Sequence, residues 1–125
     1  MIIEIDGPVK GKGRPRATGR GNFIRFYTPK ATKDYEDLIK AHCMYVRKMT
    51  GPLSLYITIW HKGPKRLWGT FCEKKPDGDN VIKLVMDALT GITYDDDNSI
   101  CKGSWEKIYQ CKSRLRIELY PAKIS

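Results

Sequence analysis

The chain has no apolar run approaching the ~20 residues a membrane-spanning helix needs, so no membrane span is expected. It has no closely spaced cysteines either. Cys43, Cys72, Cys101 and Cys111 are scattered and His42 and His61 stand alone, which argues against a zinc knuckle. The thiols are expected to be reduced, in a cytoplasm, several of them buried as small hydrophobes. The opening MIIEIDG is too short and too acidic for a signal peptide. Repeats, low-complexity tracts and long linkers are missing, so residues 1–125 are expected to form a single domain. Acidic residues are scarce: 14 Asp and Glu stand against 23 Lys and Arg, for a net charge of +9. That balance points to a polyanionic partner, nucleic acid first.

The few acids are unevenly placed. Six of the 14 fall between residues 77 and 100, in DGDNVIKLVMDALTGITYDDDNSI: Asp77, Asp79, Asp87, Asp95, Asp96 and Asp97. A divalent cation is the simplest reason to gather carboxylates in a basic protein, because Mg²⁺ takes oxygen ligands from one or two carboxylates, water and substrate phosphates. Val81, Leu84, Val85, Ala88 and Leu89 recur at helical spacing, which predicts an amphipathic helix opened by Asp79 as cap, starting at Asn80, and closed by Gly91. Asp79, Lys83 and Asp87 then line its opposite face. The competing interpretation is ordinary surface pairing at i, i+4 followed by a solvated turn over Asp95–Asp97.

Positive charge concentrates in two places. Residues 8–33 carry Lys10, Lys12, Arg14, Arg16, Arg20, Arg25, Lys30 and Lys33 with no acid, among glycines and the aromatics Phe23, Phe26 and Tyr27. Cations neutralise phosphates and aromatic faces stack on unpaired bases; the alternative is a solvated loop with Phe23 and Tyr27 plugging the core. A second basic loop, with Lys65, Arg66, Lys74 and Lys75, leads directly into Asp77.

The remaining pattern gives the fold class. Residues 1–5 read as a strand, Lys30 to about Lys48 as a helix burying Tyr35, Leu38, Ile39, His42, Cys43 and Val46, and Leu53–Trp60 as an alternating strand. Residues 99–110 and 112–120 read as two further strands, forming a hairpin that turns near Cys111–Ser113. The expected order is β-α-β-α-β-β, an α+β domain with a mixed or antiparallel sheet of about four strands and two main helices.

Asp77-Gly78-Asp79-Asn80-Val81-Ile82-Lys83, followed by Asp87-Ala88-Leu89 and Asp96-Asp97, resembles the RusA family of Holliday junction resolvases. Lys12-Gly13-Arg14-Pro15-Arg16 and Tyr27-Thr28-Pro29 resemble that family's N-terminal region. The resemblance implies a small homodimeric endonuclease, often phage- or prophage-borne, that cuts four-way DNA junctions by paired nicks and needs Mg²⁺ or Mn²⁺. It implies catalytic roles for Asp77, Asp79, Lys83 and Asp97, with the three aspartates as metal ligands. Asp96 competes with Asp97 because the family's acidic pair is a triplet here; Asp97 is favoured since Asn98-Ser99-Ile100 follows it as a polar step into a strand. Asn80 and Asp87 are expected in support, and Ile82 and Met86 are candidates for a dimer surface, as are the aromatics of residues 8–33. The alternatives are a nuclease for other branched DNA in phage genome processing, or a non-enzymatic basic DNA-binding protein.

Overall fold

In the computed structural model, the described residues are 1–13, 16–19, 21, 25–27 and 29–124, with backbone only for 16, 18 and 25–27. Arg14, Arg20 and Phe23, and the side chains of Arg16, Arg25, Phe26 and Tyr27, therefore lie outside the described residues.

Four strands form one mixed sheet in the order β1 (Ile2–Asp6), β6 (Arg114–Pro121), β4 (Leu53–Lys62), β5 (Ile100–Gln110). β6 is antiparallel to both β1 and β4, and β5 runs parallel to β4. The alternation predicted for β4 and β6 is the alternation observed. Leu55, Ile57 and Ile59 on β4 meet Leu119, Ile117 and Leu115 on β6, all essentially buried. Ile3 and Ile5 extend the same face into β1. Two helices cover that face, α1 (Lys30–Cys43) and α2 (Gly78–Leu89), and they pack against each other. The main-sheet order is β-α-β-α-β-β. Between β1 and α1 the chain adds a small antiparallel ribbon, β2 (Arg16–Thr18) with β3 (Arg25–Tyr27), inside the basic segment.

Three expectations change. First, β5 and β6 do not form a hairpin, because β4 lies between them and pairs with both. Two strand spacings of about 4.8 Å each are within reach of the four Cα steps from Gln110 to Arg114. The exchange suits the side chains: β6 needs neighbours on both sides to bury Leu115, Ile117 and Leu119, whereas β5 is exposed from Cys101 to Glu106 and tolerates the edge. Second, α1 stops at Cys43 instead of about Lys48. A turn with Val46 N–H bonded to Cys43 O follows, and it brings Met49 N–H to Thr93 O at 2.7 Å. Leu38 and His42 accordingly face solvent, leaving Thr32, Tyr35, Ile39 and Cys43 as the buried stripe. Third, α2 begins two residues earlier than expected, at Gly78 with Asp77 as its cap residue.

The outer margin of β5 is half covered. Segment 69–72 bonds Lys107 and Tyr109 through Cys72 N–H, Thr70 O and Gly69 N–H. By the alternation of a strand ladder, Gly103 and Trp105 turn their N–H and C=O groups to the same side, where no strand is paired among the described residues.

Candidate active site

α2 is positioned by its apolar stripe. Val81, Leu84, Val85, Ala88 and Leu89 have no exposed surface, so the register of the helix on the sheet is fixed, and with it the outward direction of Asp79 and Lys83. The start of the helix is fixed by Gly78, which is buried directly against the Trp105 indole of β5, where a Cβ would overlap the ring. The end is closed by Thr90 and by Gly91 at φ +83°, the left-handed geometry glycine tolerates best. Tyr94, fully buried, donates its O–H to Met86 O at 2.8 Å and so ties the following acidic loop to the last turn. Burial pushes this phenol up to about 12, so it remains a donor.

Asp77 occupies the cap position with extended backbone, yet makes no side-chain capping bond, and both it and Asp79 are exposed. Two oxygen-donor carboxylates are therefore unspent at the positive end of the α2 dipole. Beside them lies a cleft of about 400 Å³ lined by Val9, Lys10, Gly11, Lys12, Lys75, Pro76, Asp77 and Asn80. Lys83 stands one turn along from Asp79, with its ammonium 4.0 Å from the carboxylate and both side chains more than half exposed. Such a loose, solvated pair is worth little, so it does not hold Lys83 in place.

Asp87 faces elsewhere. Its carboxylate pairs with Lys12 Nζ at 2.5 Å, not with Lys83. Lys12, read from the sequence as a DNA contact, is thus already engaged; the hydrogen bond it donates to Asp87 holds its ammonium above the usual lysine range. Lys10, Lys65, Arg66, Lys74 and Lys75 are exposed and make no ion pair among the described residues.

The acidic triplet splits its tasks. Asp95 pairs with Lys48. Asp96 caps a single 3-10 turn by accepting the Asn98 N–H at 2.9 Å, and that bond, with a second to Asp97, lowers its pKa. Asp97 goes the other way: its hydrogen bond with Asp96, then burial, then the charges of Asp96 and Asp87 raise it.

Asp77 and Asp79 lie at one end of α2, while Asp97 senses Asp87 near the other. Eight residues of helix separate Asp79 from Asp87, about 12 Å at 1.5 Å per residue. Among the described residues, no three His, Cys, Asp or Glu side chains of one chain stand close enough to hold an ion together. The chain brings Asp77 and Asp79 to one helix end and does not bring Asp97 to them. The Asp77–Asp79 pair by itself matches the one or two carboxylates that a hydrated Mg²⁺ takes from protein.

No helix among the described residues is long and apolar enough to cross a membrane. The family described as Endodeoxyribonuclease RusA matches residues 6–120. The chain is similar to the "Crossover junction endodeoxyribonuclease rusA" of Lactococcus phage r1t, 28% identical over 115 residues that cover 86% of this chain and 84% of that one. It is also similar to the "Uncharacterized protein YqaN" of Bacillus subtilis (strain 168), 27% identical over 128 residues and 90% of each chain. With the family match spanning nearly all of the chain, this protein belongs to the RusA endodeoxyribonuclease family.

Proposed function

We propose that this protein is a Mg²⁺- or Mn²⁺-dependent endonuclease that resolves four-way DNA junctions by paired nicks in recombination and repair, acting as a homodimer. The observation that carries the proposal is the pair of unspent carboxylates, Asp77 and Asp79, opening α2 beside a cleft walled by Lys10 and Lys75. The phage relative, whose name is that of a crossover junction endodeoxyribonuclease, supports the same substrate and a phage or prophage origin. Four free cysteines suit work in a reducing cytoplasm.

Asp77 and Asp79 would hold the metal, with Asp97 as the third carboxylate. A bound divalent ion supplies Lewis-acid stabilisation of the phosphate and a water of lowered pKa. The protein's own groups do the rest. Lys10 and Lys75 neutralise backbone phosphates entering the cleft, as do Lys65, Arg66 and Lys74 on the adjoining loop. Lys83 offsets the negative charge that develops on the scissile phosphate. Because Asp97 sits at the far end of α2 from Asp79, one ion can take ligands from both only if they come from two chains. A two-fold dimer with the α2 helices antiparallel, meeting through the half-buried Ile82 and Met86, satisfies that condition and supplies two equivalent sites for two nicks.

The test is Asp79→Asn. In Mg²⁺ it should abolish cutting of a synthetic four-way junction while binding stays intact or tightens, and unchanged cutting would remove the metal role of α2. Running the wild type on junction, fork, duplex and single-stranded DNA, with and without Mg²⁺, separates junction resolution from action on other branched DNA and from simple binding.

A further inference from the structure

Residues 9–13 lie across the seam between the two helices, attached to both. Val9 is buried in the core. Lys12 N–H donates to Asn80 O in the first turn of α2 at 3.0 Å. Gly13 N–H donates to the hydroxyl of Thr32, itself buried on α1, at 2.9 Å. The Lys12 side chain crosses α2 to pair with Asp87 two turns further on. Glu36 of α1 faces the same pair: Lys12 and Asp87 both act on its carboxyl, which burial and Asp87 together hold above the ordinary range. The strip is therefore stitched to α2 at Asn80 and Asp87 and to α1 at Thr32, and it forms one wall of the cleft that contains Asp77. The β2–β3 ribbon starts three residues beyond Gly13.

We infer that Lys12 and Asp87 form a clamp that sets the position of the Lys10–Gly13 wall against α2, so that Lys12 is a positioning residue for the cleft and not one of its phosphate contacts. The inference deepens the nuclease assignment and rests on it for the identity of the substrate. Two arguments favour the clamp. The Lys12 ammonium has a carboxylate partner within the chain, whereas Lys10 and Lys75, on the walls of the same cleft, have none among the described residues. Asp87 is also the wrong sign to lie beside DNA, and neutralising it with a lysine from the DNA-facing strip removes the repulsion while fixing the strip. Lys10, two residues along, is then held across from Lys75 with its own charge free.

The test uses Lys12→Gln, Asp87→Asn, the double variant, and the exchanged pair Lys12→Asp with Asp87→Lys, each in the full chain. Two quantities are read: deuterium exchange at the Lys12 and Gly13 amides, and the salt dependence of junction affinity without divalent metal. On the clamp reading each single variant speeds exchange at both amides by a similar factor, about fivefold at the upper end for a partly exposed pair. The double variant adds nothing further, the exchanged pair restores slow exchange, and the slope of log affinity against log salt is that of the wild type. The inference is overturned if Lys12→Gln lowers that slope by about one, the signature of a lost phosphate contact, while Asp87→Asn leaves exchange unchanged. Additive effects of the two singles on exchange would overturn it equally. Amide exchange does not depend on cutting, so a wild type that fails to cleave junctions would sink the nuclease assignment and leave the clamp to be judged separately.

Discussion

Gly78→Ala is the sharpest test of how the acidic face is held. At a typical helical position this change stabilises, by about 1 kcal/mol, because glycine is the poorer helix former. Here the new methyl would lie inside the Trp105 indole, close to three of its ring atoms. Overpacking costs roughly 1–3 kcal/mol, and overlap with the middle of a ring instead of the tip of a flexible chain belongs at the upper end. Taking about 3 kcal/mol against a gain of about 1 leaves a net loss of about 2 kcal/mol, which for a domain of this size lowers Tm by roughly 8 °C. Urea unfolding followed by circular dichroism measures it directly. The same substitution in a Trp105→Ala background removes the overlap, so there it should be neutral or stabilising; the two backgrounds together isolate the contact. A Gly78→Ala protein more stable than its parent, or an equal loss in both backgrounds, would refute the claim that Trp105 fixes the start of α2. Gly78 lies between Asp77 and Asp79, so any movement that relieves the overlap also moves the two carboxylates.

Two other outcomes follow from the contacts around the site. Tyr94→Phe removes one donor to Met86 O, but that carbonyl also accepts from Thr90 N–H and the Thr90 hydroxyl; the loss should be only about 0.5–1 kcal/mol in urea unfolding, and a cost several times larger would mean the phenol has a second task in the acidic loop. His61 has its pKa lowered by burial first and then by Lys107 and Lys74, so the folded state binds fewer protons than the unfolded one. Its contribution to stability is present above the ordinary histidine pKa and declines as pH falls through the lowered one; His61→Phe should flatten that part of the wild-type stability profile, and identical slopes would count against it.

Periodicity alone exposed β4, β6 and α2, because burial on one face leaves a period in the sequence: Leu55, Ile57 and Ile59, or Val81, Leu84, Val85 and Ala88. The pairing partner of β5 left no such trace. Its residues 101–106 are exposed and show no alternation, and its register with β4 is a parallel, non-local one joined through α2, so proximity in sequence suggested β6 instead. The site divides the same way. Asp77, Asp79 and Lys83 were legible as a motif, and α2 presents all three to solvent. The partnership of Lys12 with Asp87 was not, because it spans 75 positions and nothing in a basic, glycine-rich tract distinguishes the one cation that folds back onto a helix. The separation of Asp97 from Asp79 was equally hidden: both belong to one short acidic stretch, and only the direction of α2 places them at opposite ends.

Among the described residues, Gly103 and Trp105 carry backbone donors and acceptors on the outer side of β5 that no strand takes up. A strand laid beside Gly103 and Trp105 would gain ladder bonds without displacing any that the fold already uses, and the sheet would grow by one member on that side. Lys102 and Glu106, next to those two positions, are exposed charges of opposite sign, the kind of side chain that keeps an open sheet edge from pairing indiscriminately.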